Sequence, residues 1–198
     1  MLDESKRQKM QERFFEQYPD LKGKKITLYA PTFRDSQVEN PEICLDFDSI
    51  NRCMGEDEVL LIRVHPHVAE HCPAGIWDMY LDKIRNVSDY PGVATLLSVA
   101  DQLITDYSSI IYEYCLLERK MIFYAYDYEA FQKDGRNFYE DYEKFVPGMI
   151  AYTQPELEKI WHAAYEDDSQ REQFCGRIFK YQDKNAVNRL LCLIFDKK

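Results

Sequence analysis

Short apolar runs alternate with helix-like segments along the chain, and this alternation predicts the fold. The runs are continuously apolar, whereas a strand with one face in water would carry a polar residue at every second position. The predicted strands are Ile26–Ala30, Val59–Val64 and those within "KIRNVSDY", "DQLITDY", "KMIFYAYD" and "GMIAYT". Strands of this kind, separated by helices, predict a Rossmann-like α/β domain with a parallel sheet and helices on both faces.

Helical patterns fill most intervals between the strands. A charged helix opens the chain, roughly from Asp3 to Gln17, and breaks at Pro19 and Gly23. The other predicted helices are "LDFDSINRCMG", "GVATLLSVA", "SSIIYEYCLLE", one capped by Thr153 with Glu156 and running to Glu166, one capped by Ser169, and the closing "DKNAVNRLLCLIFDKK". The segment after Val64 and the Tyr-rich segment from Asp127 to Pro147 are predicted to be loops.

Composition narrows the class of protein. A chain of 198 residues that is 45% hydrophobic suits one well-buried domain. The net charge of -10 argues against nucleic-acid binding but permits one small basic pocket. No apolar run is long enough to span a membrane, and the polar first segment is not a signal peptide. The six cysteines form no CxxC pair, which favours a reducing, cytoplasmic setting, and Cys115 and Cys192 are predicted to be small core residues.

Candidate chemistry lies where the predicted strands end. Ligands of open parallel sheets bind beyond the carboxyl ends of the strands. Three kinds of group follow those ends here: arginines, imidazoles and the hydroxyls of a turn that begins a helix. They are Arg34, Arg63, Arg136, His65, His67, Ser108 and Ser109.

The turn "TDYSS" has two interpretations. A helix N-terminus offers unpaired N–H groups and the positive end of a dipole, so Ser108 and Ser109 there suit a phosphate. Alternatively, Asp106 or Ser108 only caps the helix. The arginines and histidines at neighbouring strand ends favour the anion site.

Other candidate residues could serve the structure instead of binding a ligand. Arg63 lies at a strand and is also suited to a buried ion pair with Asp35, Asp89 or Asp106. Glu113 suits a ribose hydroxyl, Ser109 or an internal arginine. The tyrosines at 124, 126, 128, 139 and 142 are predicted to pack, with one or two available to stack on a base.

Several common motifs are missing from the sequence. His65, His67, His71 and Cys72 fit no common zinc spacing, so no metal is predicted. GxGxxG, GxxxxGK[ST] and GxSxG motifs are absent, which counts against NAD-binding, P-loop and α/β-hydrolase proteins. No acidic cluster follows the first strand, so a response-regulator-like domain ranks last.

A set of sequence blocks resembles one family. "LYAPTFRD", "LLIRVHPH", "VSDYPGVATLLSVADQLITDYSSIIYEY", "YAYDYEAF", "GRNFYEDY" and "PGMI" are similar to the CDP-glycerol glycerophosphotransferases of teichoic-acid synthesis. That family is similar to two-domain GT-B glycosyltransferases, and the match is to the donor-binding C-terminal half. The resemblance therefore implies a linker-type helix at 1–22, a CDP-alditol-binding domain at 23–198, and no N-terminal acceptor domain.

The resemblance also implies roles for the candidate residues. A protonated His65 would be the catalytic residue that contacts the donor pyrophosphate. Arg136 matches the arginine of a family Arg-Gly-Phe-Tyr loop in which Asn137 replaces the glycine here, and Pro147-Gly148-Met149 replaces a usual Pro-Gly-Pro. The resemblance implies that Arg34, Arg63, Ser108, Ser109 and Arg136 bind the substrate. His67, Asp106 and Glu113 are added to the predicted substrate-binding residues from their positions after strands or on the following helix.

The implied reaction transfers glycerol phosphate from CDP-glycerol, or another alditol phosphate from a related CDP-alditol, to a hydroxyl of a lipid-linked wall polymer, with release of CMP. The resemblance implies no cofactor, an acceptor domain on this or a separate chain, and a full enzyme at the cytoplasmic face of the membrane. The sequence does not decide whether the alditol of the donor is glycerol or ribitol, or whether the full enzyme is a primase or a polymerase. The alternatives are half of a UDP-sugar GT-B transferase or epimerase, and a non-catalytic nucleotide-binding module.

Overall fold

The computed structural model describes residues 3–72, 75, 80, 82–133, 138–164 and 169–195, and in them six strands form one parallel sheet. The strands are β1 (Lys25–Tyr29), β2 (Glu58–Ile62), β3 (Ile84–Asn86), β4 (Gln102–Thr105), β5 (Lys120–Tyr124) and β6 (Met149–Ala151). Their order, β3-β2-β1-β4-β5-β6, is that of the doubly wound Rossmann fold. The chain changes direction across the sheet between β1 and β4, so a crevice is expected at their carboxyl ends.

Helices cover both faces of this sheet. They are α1 (Glu4–Gln17), α2 (Phe47–Cys53), α3 (Pro66–His71), α4 (Val93–Val99), α5 (Ile110–Tyr114), α6 (Tyr128–Lys133), α7 (Tyr142–Phe145), α8 (Gln154–Trp161), α9 (Ser169–Ile178) and α10 (Ala186–Phe195). The capping box of Thr153 and Glu156 is present, although α8 ends at Trp161 and not at Glu166.

Three helices stand where loops were predicted. Pro66 follows β2 and was expected to end regular structure, but it occupies the first position of α3, where proline's missing N–H costs no hydrogen bond. The Tyr-rich segment contains α6 and α7, and Asp141 caps α7 by accepting the N–H of Glu143. Each of these helices is short and is stabilised by local capping or packing. The periodicity of apolar residues does not detect such short helices.

The core has two apolar layers, one on each face of the sheet. Alternate strand residues serve opposite layers: Leu28 and Leu61 belong to one, Leu60 and Ile62 to the other. Cys115 is buried in the first layer as predicted. The prediction for Cys192 was wrong, because it is exposed on α10, a helix with no buried residue. Among the described residues, no helix has the length and apolar character needed to cross a lipid bilayer.

Glu58 joins three elements at the amino end of the sheet. It is 8% exposed, and its carboxylate accepts from Lys25 Nζ at 2.8 Å, His162 Nε2 at 2.7 Å and the Gly55 N–H at 3.0 Å. Burial acts to raise the pKa of Glu58, but these hydrogen bonds outweigh it and lower the pKa to about 2. The carboxylate therefore stabilises the folded state above the unfolded-chain pKa of 4.5, and this contribution is lost as the pH falls towards 2.

We expect Glu58→Gln to lower the free energy of unfolding at pH 7 by about 1–3 kcal/mol, because a charged acceptor of three hydrogen bonds is removed. The variant should also show a flatter fall in stability between pH 4.5 and 2 than the parent. Urea unfolding at several pH values measures both effects. The exposed Glu39→Gln is the matched control; equal behaviour of the two variants would contradict the prediction.

Candidate functional site

Arg34 connects three strand ends beneath the crevice. Its Nη2 donates to Asp106 Oδ2 at 2.7 Å, after β4, and its Nε donates to Asp127 Oδ2 at 2.7 Å, after β5. Arg34 is 8% exposed and Asp106 is 1% exposed. The loop after β1 is thus tied to the loops after its neighbours by a buried ion-pair cluster, which fixes the floor of the crevice.

The surroundings favour the charged form of this arginine. The guanidinium lies over the rings of Tyr107, Tyr126 and Phe131 at 5.1, 5.5 and 5.2 Å from their centroids. Burial acts to lower the pKa of Arg34, but hydrogen bonding to Asp127 and the charge of Asp106 raise it above its usual value. Burial raises the pKa of Asp106, and Arg34 acts against that rise.

Asp106 also orders the backbone around it. Its Oδ1 accepts the N–H of Thr32 at 2.9 Å and that of Tyr107 at 2.6 Å. Arg34 and Asp106 were both predicted to bind substrate. The structure gives their charged groups to each other and to the loop backbone, so their effect on a ligand would pass through the loops they hold.

An open groove of about 580 Å³ lies above this cluster, between the ends of β1, β2 and β4. Four predicted site residues line it: Arg63, His65, Ser108 and Ser109. Thr32, Phe33 and Tyr107 line it as well. The cations follow β2 and the hydroxyls follow β4, and these two strands lie on either side of β1 in the sheet. Their carboxyl ends therefore deliver both kinds of group to one surface.

The two serines bear on the choice between helix capping and anion binding. Ser109 precedes α5 with φ -64° and ψ -8°, and its side chain makes no capping hydrogen bond. Ser108 Oγ accepts the N–H of Ile110 at a long 3.4 Å. Capping thus occupies the Ser108 hydroxyl weakly and leaves that of Ser109, which is exposed, available to a ligand.

His65 is held in a defined orientation. Its Nδ1 accepts the N–H of His67 at 3.2 Å, and its ring lies on Phe33 with centroids 4.3 Å apart. Because Nδ1 is an acceptor, the proton of the neutral ring is on Nε2, which is a donor. His65 is an exposed residue of the groove, so it offers a positioned N–H to an anion.

Arg63 is half-buried and donates from Nη1 to the backbone carbonyl of Tyr90 at 2.7 Å. Because this acceptor is uncharged, it does not neutralise the positive charge of the guanidinium. Burial lowers the pKa of Arg63, but a guanidinium stays charged at neutral pH. Arg63 is therefore a cation of the groove.

The other predicted site residues lie outside the groove lining or outside the described residues. His67 Nε2 lies 3.1 Å from the backbone carbonyl oxygen of Val38. The His67 ring also contacts the His71 ring, with centroids 4.4 Å apart. Glu113 is exposed on α5. Arg136 is outside the described residues. Among the described residues, no cluster of metal-ligating side chains is found.

Asp127 is a site residue that the sequence reasoning passed over. It accepts two hydrogen bonds from Arg34, at Oδ2 and at Oδ1, and a third at Oδ1 from the Tyr107 hydroxyl at 3.2 Å. Its signal was present in the sequence, since it directly follows the apolar part of the fifth strand. A carboxylate at that position is a natural partner for an arginine that follows another strand of the same sheet.

The chain matches the model of the CDP-Glycerol:Poly(glycerophosphate) glycerophosphotransferase family over residues 1–196. It is 36% identical to the teichoic acid ribitol-phosphate polymerase TarL of Staphylococcus aureus, over 98% of this chain and 35% of that protein. It is 31% identical to the teichoic acid glycerol-phosphate primase of Bacillus subtilis, over 88% of this chain and 44% of that protein. The chain thus spans less than half the length of these relatives.

A solved structure is similar as well. It is that of a variant of the wall teichoic acid polymerase TagF soaked with CDPG, with a TM-score of 0.75 and 27% identity. The similarity covers 96% of this chain and 47% of that one.

Proposed function

Since the chain belongs to the CDP-glycerol:poly(glycerophosphate) glycerophosphotransferase family, we propose that it is the donor-binding unit of an enzyme that transfers an alditol phosphate from a CDP-alditol to a hydroxyl group. The observation that carries this proposal is the groove at the switch point of the sheet, where Arg63, His65, Ser108 and Ser109 converge.

The groove would bind the pyrophosphate of the donor. Hydroxyl groups of Ser108 and Ser109 and the N–H groups of the first turn of α5 would donate to one side of it. His65 Nε2–H and the charge of Arg63 would act from the other. Hydrogen-bond donors held in place before the reaction stabilise the charge that develops on the leaving phosphate.

The reaction is a phosphoryl transfer. The acceptor oxygen attacks the phosphorus that carries the alditol, a new P–O bond forms, and the bond to the bridging oxygen breaks, so that CMP leaves with that oxygen. With Nδ1 accepting the His67 N–H, His65 would act on the leaving phosphate as a neutral donor through Nε2–H, and the guanidinium of Arg63 would supply the positive charge. The proton of the acceptor hydroxyl passes to a base that we assign to the acceptor domain of the full enzyme.

The relatives carry names of both ribitol-phosphate and glycerol-phosphate enzymes, so the proposed donor is CDP-glycerol or CDP-ribitol. The proposed acceptor is a lipid-linked wall polymer, reached at the cytoplasmic face of the membrane. An acceptor domain, on this chain or a separate one, would close the groove from above, as in two-domain transferases.

Calorimetric titration with CDP-glycerol, CDP, UDP and CMP tests the proposal. We expect CDP ligands to bind in preference to UDP, because the family is named for a CDP donor. His65→Ala and Ser108→Ala should each weaken CDP binding by roughly 10- to 150-fold, since a hydrogen bond to a charged group contributes roughly 1.5–3 kcal/mol.

The exposed His71→Ala is the control for the histidine, because His71 does not line the groove. A preference for UDP would favour half of a UDP-sugar transferase or epimerase. Absence of binding by every nucleotide would overturn the assignment of this chain as a donor-binding unit and leave a non-catalytic module.

A further inference from the structure

The cation of the groove is held by a residue from outside the groove. Arg63 Nη1 donates to the backbone carbonyl of Tyr90 at 2.7 Å. Tyr90 lies in the loop between β3 and α4 and is not among the residues that line the groove. The same loop contacts the end of β2 a second time, because the Val64 N–H donates to the buried Ser88 Oγ at 3.1 Å. The position of the Arg63 guanidinium therefore depends on where this loop lies.

The backbone of Tyr90 has little freedom of its own. Pro91 follows it, and contact with the proline ring confines the preceding residue to extended conformations. The Tyr90 N–H donates to the backbone carbonyl of Val87 at 3.0 Å, and Val87 is buried in the core. The direction of the Tyr90 carbonyl is thus set by the placement of the whole residue, its side chain included.

The Tyr90 ring is placed by α1. It packs edge-on against Phe14, with centroids 5.5 Å apart, and lies 6.3 Å from the Tyr18 ring. Phe14 is fully buried and contacts Tyr18 at 4.9 Å between centroids. The helix α1 is itself fixed to α4, since Gln11 Nε2 donates to the Ser98 carbonyl at 2.6 Å. Three aromatic rings therefore connect α1 to the loop that holds the cation of the groove.

We propose that Tyr90 is a positioning residue for the groove: its ring, packed on α1, fixes the carbonyl that orients the Arg63 guanidinium. The inference rests on the proposed function, in which Arg63 supplies positive charge to the pyrophosphate. An arginine side chain loses much rotamer entropy when it binds a ligand. A carbonyl that restrains the guanidinium beforehand removes part of that cost. An uncharged acceptor suits this role, because it restrains the cation and leaves its charge for the anion.

Titration of the chain with CDP tests the inference. Tyr90→Ala should weaken CDP binding by about tenfold, near the lower limit for a hydrogen bond to a charged group, because Arg63 loses its fixed orientation. Tyr90→Phe keeps the ring and should bind CDP within about twofold of the parent. Tyr152→Ala removes another half-buried tyrosine ring that lies outside the groove lining. It is the control for loss of an aromatic contact, and its CDP affinity should be that of the parent.

A double-variant cycle with Arg63 separates positioning from a general structural effect. Arg63→Met alone should weaken CDP binding by at least about tenfold. In the Arg63→Met background, Tyr90→Ala should cause no further loss, because Tyr90 acts only through the guanidinium. Tyr18→Ala is a milder change at a half-buried ring of the same cluster. It should weaken CDP binding in the same Arg63-dependent way, and it replaces Tyr90→Ala in the cycle if that variant does not fold.

The remaining outcomes are also decisive. Equal losses from Tyr90→Ala with and without Arg63 would overturn the inference, and so would parental affinity in a folded Tyr90→Ala variant. If Arg63→Met bound CDP as the parent does, the inference would fail, whereas the proposed function would be judged by the His65 and Ser108 variants. Absence of CDP binding by the parent chain would overturn the proposed function and this inference together.

Discussion

Replacing Arg34 by methionine is expected to lower the free energy of unfolding by about 3–5 kcal/mol, because it leaves the carboxylate of Asp106 buried without its cation. Asp106 is 1% exposed, so water does not replace the lost partner. The substitution also removes the connection to Asp127 and the contacts with three aromatic rings. Urea or thermal unfolding of the purified variant measures the loss.

Two further variants separate this explanation from a general effect of removing an arginine. Arg85 pairs with Asp20 at 2.6 Å in an exposed setting, so Arg85→Met should cost no more than about 1 kcal/mol. The double variant Arg34→Met with Asp106→Asn should be more stable than Arg34→Met alone, since the buried charge is then gone. A loss below 1 kcal/mol in Arg34→Met would show that the cluster does not hold the three strand ends together.

The architecture was accessible from the sequence because hydrophobic patterning determines it. All six strands were predicted. Most of them came from continuous apolar runs, which occur where both faces of a strand are buried, whereas β3 has the sequence Ile-Arg-Asn and only its isoleucine is buried. The short helices were not accessible in the same way. Pro66 both ends an extended run and begins α3, and sequence alone does not distinguish these roles.

The sequence predicted which residues form the site better than it predicted which of them contact one another. His65, Arg63, Ser108 and Ser109 were all found from their positions after strands, and the structure brings them to one groove. The pairing of Arg34 with Asp106 joins residues 72 positions apart, and it depends on β1 and β4 being neighbours. Strand order is a tertiary property, so the sequence left Asp106 as a candidate partner for Arg63 and as a candidate ligand contact.

Recognition of the family rested on short blocks. "RVHPH" and "TDYSS" contain all four of the predicted residues that line the groove, and "TDYSS" also contains Asp106 of the buried cluster. The family match over residues 1–196 confirms the resemblance. The blocks contain two kinds of residue. Some line the groove, and others, such as Asp106, form hydrogen bonds with the backbone beneath it.

Ser109→Asp is expected to reduce CDP affinity by about 100-fold or more. The new carboxylate would stand beside the proposed position of the pyrophosphate, where two like charges about 4 Å apart repel by roughly 4 kcal/mol near a protein surface. The fold should be retained, because aspartate is a favourable residue before a helix and Ser109 is exposed. Ser109→Ala, which only removes a hydroxyl, should weaken binding by about tenfold, near the lower limit for a hydrogen bond to a charged group. Calorimetry with CDP measures each affinity, and thermal unfolding checks the fold.

Ser36→Asp is the matched control for charge, since it also adds one carboxylate at an exposed serine but lies outside the groove lining. Its CDP affinity should stay within about twofold of the parent, as expected for a screened surface charge. The difference between the two aspartate variants isolates local repulsion from the effect of net charge. If Ser109→Asp bound CDP as well as Ser36→Asp does, the pyrophosphate would not lie at the turn before α5. His65 and Arg63 would then have to bind it from the β2 side alone.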